Sequence, residues 1–133
     1  MAVVNDSSIP NDAILLRVLL PGWTCLKNSR YRPTTHAFID GRTGEVSCFI
    51  VGPGVEAEVR RMFPDFEIAT VPANVIRGSG FAIERRPGEC TGFNGDPGAH
   101  VVIGAPDEVT RREYERRAKK IAVHLETTIL PSK

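Results

Sequence analysis

Arg17, Arg32, Thr34, Ser47 and His100 are the residues from which a binding site can be assembled. A guanidinium presents a planar fork of donors that fits phosphate and carboxylate oxygens, and hydroxyls add neutral hydrogen bonds without competing charge. The pocket they would form suits a phosphate or carboxylate on a small molecule, an RNA end or a partner protein, which makes the chain a binding or accessory module. His36 and His100 support an alternative, a metal-independent enzyme acting on a nucleotide or phosphodiester. One imidazole can be neutral and the other protonated near neutral pH, and Arg32 would stabilise the developing charge, as in a nuclease. An ADP-ribosyltransferase-like variant needs an arginine, a hydroxyl and a later acid, for which Glu84 and Glu89 are both available. The plainer reading makes Arg30 and Arg32 solvated charges and His36 an ordinary half-buried histidine.

Metal and thiol chemistry find less support. Cys25, Cys48 and Cys90 are scattered, as are the three histidines, so ligand spacing is absent and no metal or cofactor is expected. An odd cysteine count without a C-x-x-C pair fits reduced thiols in a cytoplasmic setting. Gly78-Ser79-Gly80 lacks the spacing of a phosphate loop and reads as a turn.

The elements that would position these groups begin with a predicted hairpin, Thr35–Ile39 and Val46–Val51, joined by Asp-Gly-Arg-Thr-Gly-Glu. Pairing Ile39 with Val46 puts Ala37, Ile39, Val46, Cys48 and Ile50 on an apolar face and His36, Phe38, Ser47 and Phe49 on the other. Pro33 holds Arg32 extended at the strand entrance. Residues 1–11 read as a flexible lead-in and 12–130 as one domain. Ala13–Leu20 fits a short helix capped by Asp12 or a buried strand, and the reading leans to helix.

Val55, Val59, Met62 and Phe63 mark a short amphipathic helix, Phe66–Val71 a strand, Pro72–Ile76 a single helical turn and Phe81–Glu84 another strand. Arg85–Gly98, rich in Gly and Pro, is a mobile tip or a ligand-covering loop. Ala99–Ile103 is a strand that sends Ala99, Val101 and Ile103 inward and His100 outward beside Val102. Asp107 to about Thr127 is a helix with an inner stripe of Tyr114, Ala118, Ile121, Leu125 and Ile129. Its Arg111, Arg112, Arg116, Arg117, Lys119 and Lys120 outnumber the nearby acids, and a solvated face accounts for them better than an RNA site. Glu108–Arg112, Glu113–Arg117 and Glu115–Lys119 are favourable i,i+4 pairs worth about 0.2–0.5 kcal/mol each.

Together these elements predict an α+β single domain, a mostly antiparallel sheet of about four to five strands carrying a short helix and a long C-terminal amphipathic helix. At 133 residues the chain can bury a core without staples, and 41% apolar with 25% charged residues argues against wholesale disorder. With 17 basic against 16 acidic residues there is no global field to draw in nucleic acid or an acidic membrane, so any attraction must be local. The longest apolar run, broken by Arg17, is too short to span a bilayer, and no membrane partner is expected.

R-P-T-T-H-A-F, a following V-S, then F-P-D-F-E-I-A-T-V and P-G-A-H-V together resemble the pattern of a group of short uncharacterised bacterial proteins. Those carry an R-P-S-S-x-A-F element, a following S-V, a strand-like segment after H-P-x-[FY] and a late P-A-H-V. The resemblance runs from about Leu15 to Ile103 and implies a single domain. It marks Arg17, Arg32, Pro33, Thr34, Phe38, Ser47 and His100 without attaching a reaction to them, since the group has no established activity. Thr34-Thr35 replaces the group's Ser-Ser, and His36 falls where the pattern varies.

Overall fold

Of the two readings open for the apolar run that holds Arg17, the structure has the buried strand and not the helix to which the sequence leans: β1, Ile14–Leu19, pairs with a neighbour on both sides. Leu15 and Leu19 are buried in one apolar layer and Leu16 in another, which a period of two achieves and a period of 3.6 does not. A full-length ladder on one side and a two-pair ladder on the other take up backbone amides and carbonyls that would be costly to bury unpaired. The computed structural model describes residues 2–20, 24–27, 30–33, 35–39, 44–124 and 129–130, with the backbone alone for 24–27, 30–33, 36 and 129–130.

The other strands are β2 (Thr24–Lys27), β3 (Arg30–Pro33), β4 (Val46–Ile50), β5 (Glu67–Pro72), β6 (Ala82–Arg85), β7 (His100–Gly104) and β8 (Ile129–Leu130). The helices are α1 (Val55–Met62), α2 (Ala73–Gly78) and α3 (Arg111–His124). An antiparallel sheet runs β6-β7-β4-β1-β5-β8, while β2 and β3 form a separate ribbon. The architecture is the α+β one anticipated, with six strands in the main sheet because the two-residue β8 extends its edge.

One face of the sheet carries Leu15, Leu19, Val46, Cys48, Ala69, Val71, Ile83, Val101 and Ile103 against Ile76 of α2 and Tyr114, Ala118 and Ile121 of α3. The opposite face packs Leu16, Phe49 and Ile68 against Val55 and Val59 of α1. At the β4–β7–β6 end of this second face Val3 of the N-terminal segment packs with Ala82 and Val102, and the loop after β6 lies over Phe49.

The predicted Thr35–Ile39 strand does not form. β3 ends at Pro33, and Thr35–Phe38 makes a single 3-10 turn that buries Ala37 and Phe38 under α3, where the Tyr114 hydroxyl donates to the Phe38 carbonyl at 3.4 Å. β4 therefore pairs with β1 and β7. Its own parity is as read, with Val46, Cys48 and Ile50 on the helix side and Ser47 and Phe49 on the other.

Two further boundaries move. Residues 2–11, within the 1–11 lead-in expected to be loose, are tied down: Val3 and Ile9 are buried, and Arg77 donates to Asn5 Oδ1, the Asp6 and Ile9 carbonyls and Asn11 Oδ1. The last helix begins at Arg111 and not at Asp107, because Thr110 Oγ1 accepts the Glu113 amide and so caps the first turn. Glu108 then lies ahead of the helix, out of step with Arg112. Glu113 pairs with both Arg116 and Arg117, Arg111 with Glu115, and Asp107 reaches Arg117. Leu125 lies outside the described residues, and Ile129 belongs to β8.

Candidate functional site

His100 opens β7 directly opposite Phe49 of β4, with Ser47 two residues along β4 on the same face. The imidazole is buried, and its ring packs on Phe49 at 5.4 Å between centroids. Nδ1 lies 2.9 Å from the Arg86 carbonyl and Nε2 lies 3.3 Å from Ser47 Oγ. A carbonyl can only accept, so Nδ1 carries a hydrogen; in the neutral ring Nε2 then has its lone pair free to accept the Ser47 hydroxyl. The Arg86 amide donates in turn to the His100 carbonyl at 3.0 Å. One residue thus grips the histidine through both its main chain and its ring.

This pair floors a recess of about 390 Å³ whose walls include Glu45, Glu89, Cys90 and Thr91. The Arg85–Gly98 segment is a cover held at several points. Phe93 packs on Phe49 at 5.0 Å, Arg61 of α1 donates to the Gly92 carbonyl at 2.8 Å, and Glu58 accepts the Asn94 amide at 2.7 Å. Gly92 takes a φ of +88°, a conformation that glycine adopts without a Cβ penalty.

The electrostatics of the recess follow from Arg86. Its guanidinium meets Glu84 at 2.6 Å, Glu45 at 2.7 Å and Glu89 at 3.6 Å, so three carboxylates surround one cation. The hydrogen bonds to Glu84 and Glu45 raise the Arg86 pKa above its ordinary value. Glu84 is lowered by the same contact and by the Val4 amide that donates to it. The Cys90 thiol is pushed up by burial, which disfavours the nucleophilic thiolate.

Ser47 and His100 are brought together as anticipated. Arg17 is not with them: it sits on the helix-side face between Leu15 and Leu19, where Nε donates to the Ala37 carbonyl at 2.7 Å and Nη1 to the Ser47 carbonyl at 3.0 Å. The β1–β4 ladder pairs Leu15 with Ile50 and Leu16 with Phe49 and then stops, and the guanidinium bonds a β4 carbonyl beyond its end. Thr34 and the side chains of Arg32 and His36 lie outside the described residues.

Sequence reasoning did not find Arg86, Glu45 or Thr91. Their signal is tertiary, since Glu45 and Arg86 meet across 41 residues of chain. The Pro-Gly-rich cover beside a late histidine was the one hint available. Cys48, a free thiol in the helix-side core, is held at about 12 by burial. Among the described residues no group of three or more His, Cys, Asp or Glu is placed to hold a metal ion, and no helix is long and apolar enough to cross a membrane. Comparison with protein-family models, curated proteins and solved structures found no match.

Proposed function

We propose that the protein is a small bacterial, cytoplasmic binding module whose ligand seats in the recess over Ser47 and His100. The observation that carries this reading is a buried imidazole, fixed by the Arg86 carbonyl, whose other nitrogen reaches the recess through the exposed Ser47 hydroxyl. A volume of about 390 Å³ lies within the range of small-molecule sites. The sequence pattern suggested a phosphate; the carboxylates of Glu45 and Glu89 support instead a ligand that brings its own donors, such as an amine, an amide or a polyol.

The test is a thermal-shift panel of amines, amides and polyols set against inorganic phosphate, nucleotides and short RNA. A ligand present at a hundred times its Kd adds about 2.7 kcal/mol to a protein of this size, roughly an 8–10 °C rise in Tm. Donor-bearing ligands should give a rise that Ser47→Ala removes. Shifts from phosphate compounds alone would overturn the ligand class.

One observation favours a second reading, an enzyme. A hydroxyl beside an imidazole whose other nitrogen is pinned is an arrangement in which His100 can take the Ser47 proton as Ser47 attacks an ester or amide carbonyl. Turnover of an activated ester and labelling by a fluorophosphonate, both lost in Ser47→Ala and His100→Asn, would establish it. Wild-type protein inert to both reagents would leave binding alone.

A further inference from the structure

A second depression lies on the far side of the molecule's chemistry, between α2 and α3, with a volume of about 580 Å³. Val75 and Gly78 of α2 face Lys119, Lys120, Val123 and His124 of α3 across it. Its floor is mainly hydrocarbon, and Val123 leaves 48% of its surface exposed there. A Cβ placed on Gly78 would meet nothing within 4 Å, so the α2 wall also looks onto open space.

The basic residues of α3 are not equivalent around this groove. Arg111, Arg116 and Arg117 are each paired with a carboxylate of the helix or its lead-in. Among the described residues, Lys119 and Lys120 have no carboxylate partner and no acidic residue lines the groove. An apolar trough with an unneutralised cationic rim is complementary to one kind of occupant.

We propose that this groove is a separate binding site for a single-chain amphiphile with an anionic head, carboxylate or phosphate. The hydrocarbon covers Val75 and Val123, and the head meets Lys119 and Lys120. The cavity falls in the range of sites that enclose small ligands, and long lysine stems can follow a chain while their ammonium groups stay at its polar end. This site is independent of the one over His100.

Isothermal titration of the full chain with decanoate, decyl phosphate and decyltrimethylammonium, each below its micellar concentration, tests the idea. The two anions should bind at least tenfold tighter than the cation of equal chain length. Lys119→Glu combined with Lys120→Glu should erase that preference, and Val123→Asp should weaken all three. Arg112→Glu, exposed and outside the groove, should change nothing, and an unaltered Tm certifies that each variant folds. Equal affinity for both head charges, no binding of any of the three, or a preference that survives the double reversal would overturn the proposal. Sedimentation with anionic vesicles without binding of the monomeric anions would overturn it too, since the charge would then serve a membrane surface.

Discussion

Arg17 donates to the carbonyl of Ser47 at 3.0 Å from one side of the sheet, while the hydroxyl of the same serine meets His100 on the other. The two contacts do not share a pocket, yet both act on a single residue of β4. The guanidinium thereby substitutes for the stretch of ladder that β1 and β4 fail to complete, and it fixes the backbone from which the Ser47 hydroxyl projects.

Replacing Arg17 by Met keeps the apolar stem and strands two carbonyls, those of Ala37 and Ser47. Leaving a buried acceptor unsatisfied costs about 1–3 kcal/mol; the Ala37 carbonyl is part-buried and the Ser47 contact exposed to water, so Arg17→Met should lose roughly 1–3 kcal/mol in urea unfolding. Because the same guanidinium holds the backbone that carries the Ser47 hydroxyl, Arg17→Met should also weaken binding in the recess, and a thermal-shift titration unchanged from wild type would show that it does not position the serine.

Ser47 and His100 should separate stability from binding. The Ser47 side chain is exposed, so its alanine variant should stay within about 0.5 kcal/mol of wild type. His100→Ala empties a buried site beside Phe49 and removes the donor that faces the Arg86 carbonyl, which should cost about 2–4 kcal/mol. Both should lose the ligand of the recess. Denaturation and thermal-shift titration on the same samples read the two quantities, and a Ser47→Ala variant that binds normally would remove the hydroxyl from the site.

The Arg86 cluster gives the fold an acid-sensitive element. Glu84 has its pKa lowered in the folded state, so its contribution is present above the ordinary glutamate value of about 4.3 and is lost as pH falls through the folded one. Arg86 is raised, and its contribution holds throughout the working range, which lies below the ordinary arginine value. Glu84→Gln keeps an acceptor for the Val4 amide but not the charge. Its stability deficit should be full at pH 7 and shrink below about pH 4. A deficit that does not vary with pH would show the carboxylate to be inert.

What could be read from the chain was local. The parity of β4, the α1 stripe of Val55 and Val59, and the position of His100 beside Val102 depend on side-chain period alone, and the structure repeats them. The failures are tertiary. Thr35–Ile39 has strand-forming residues, yet burial of Ala37 and Phe38 beneath Tyr114 stabilises a tight turn instead. Arg17 is marked by the sequence pattern, but its partners are main-chain carbonyls on the opposite face, and no local spacing separates that arrangement from a place in the site. The carboxylates that set the sign of the recess come from β6, its following loop and the lead into β4, and spacing cannot show that they converge.

Two glycines should respond in opposite directions to the same substitution. A Cβ on Gly104 would collide with the Gly44 carbonyl and come within 2.8 Å of Val3 Cγ2, at the point where β7 passes the N-terminal segment. Main-chain oxygen cannot swing aside as a side-chain end can, so Gly104→Ala must displace either β7 or the segment before β4. Overpacking of this kind costs about 1–3 kcal/mol. Trimming the neighbour with Val3→Ala should not rescue it, because the carbonyl clash persists. Gly78, at the end of α2, has open space around it, and alanine there should stabilise the helix by about 0.5–1 kcal/mol through lost backbone freedom in the unfolded chain. Urea midpoints for both variants decide the matter. A tolerated Gly104→Ala would mean that β7 does not approach Gly44 as closely as described, and with it that Val3 is not held in the core by this edge of the sheet.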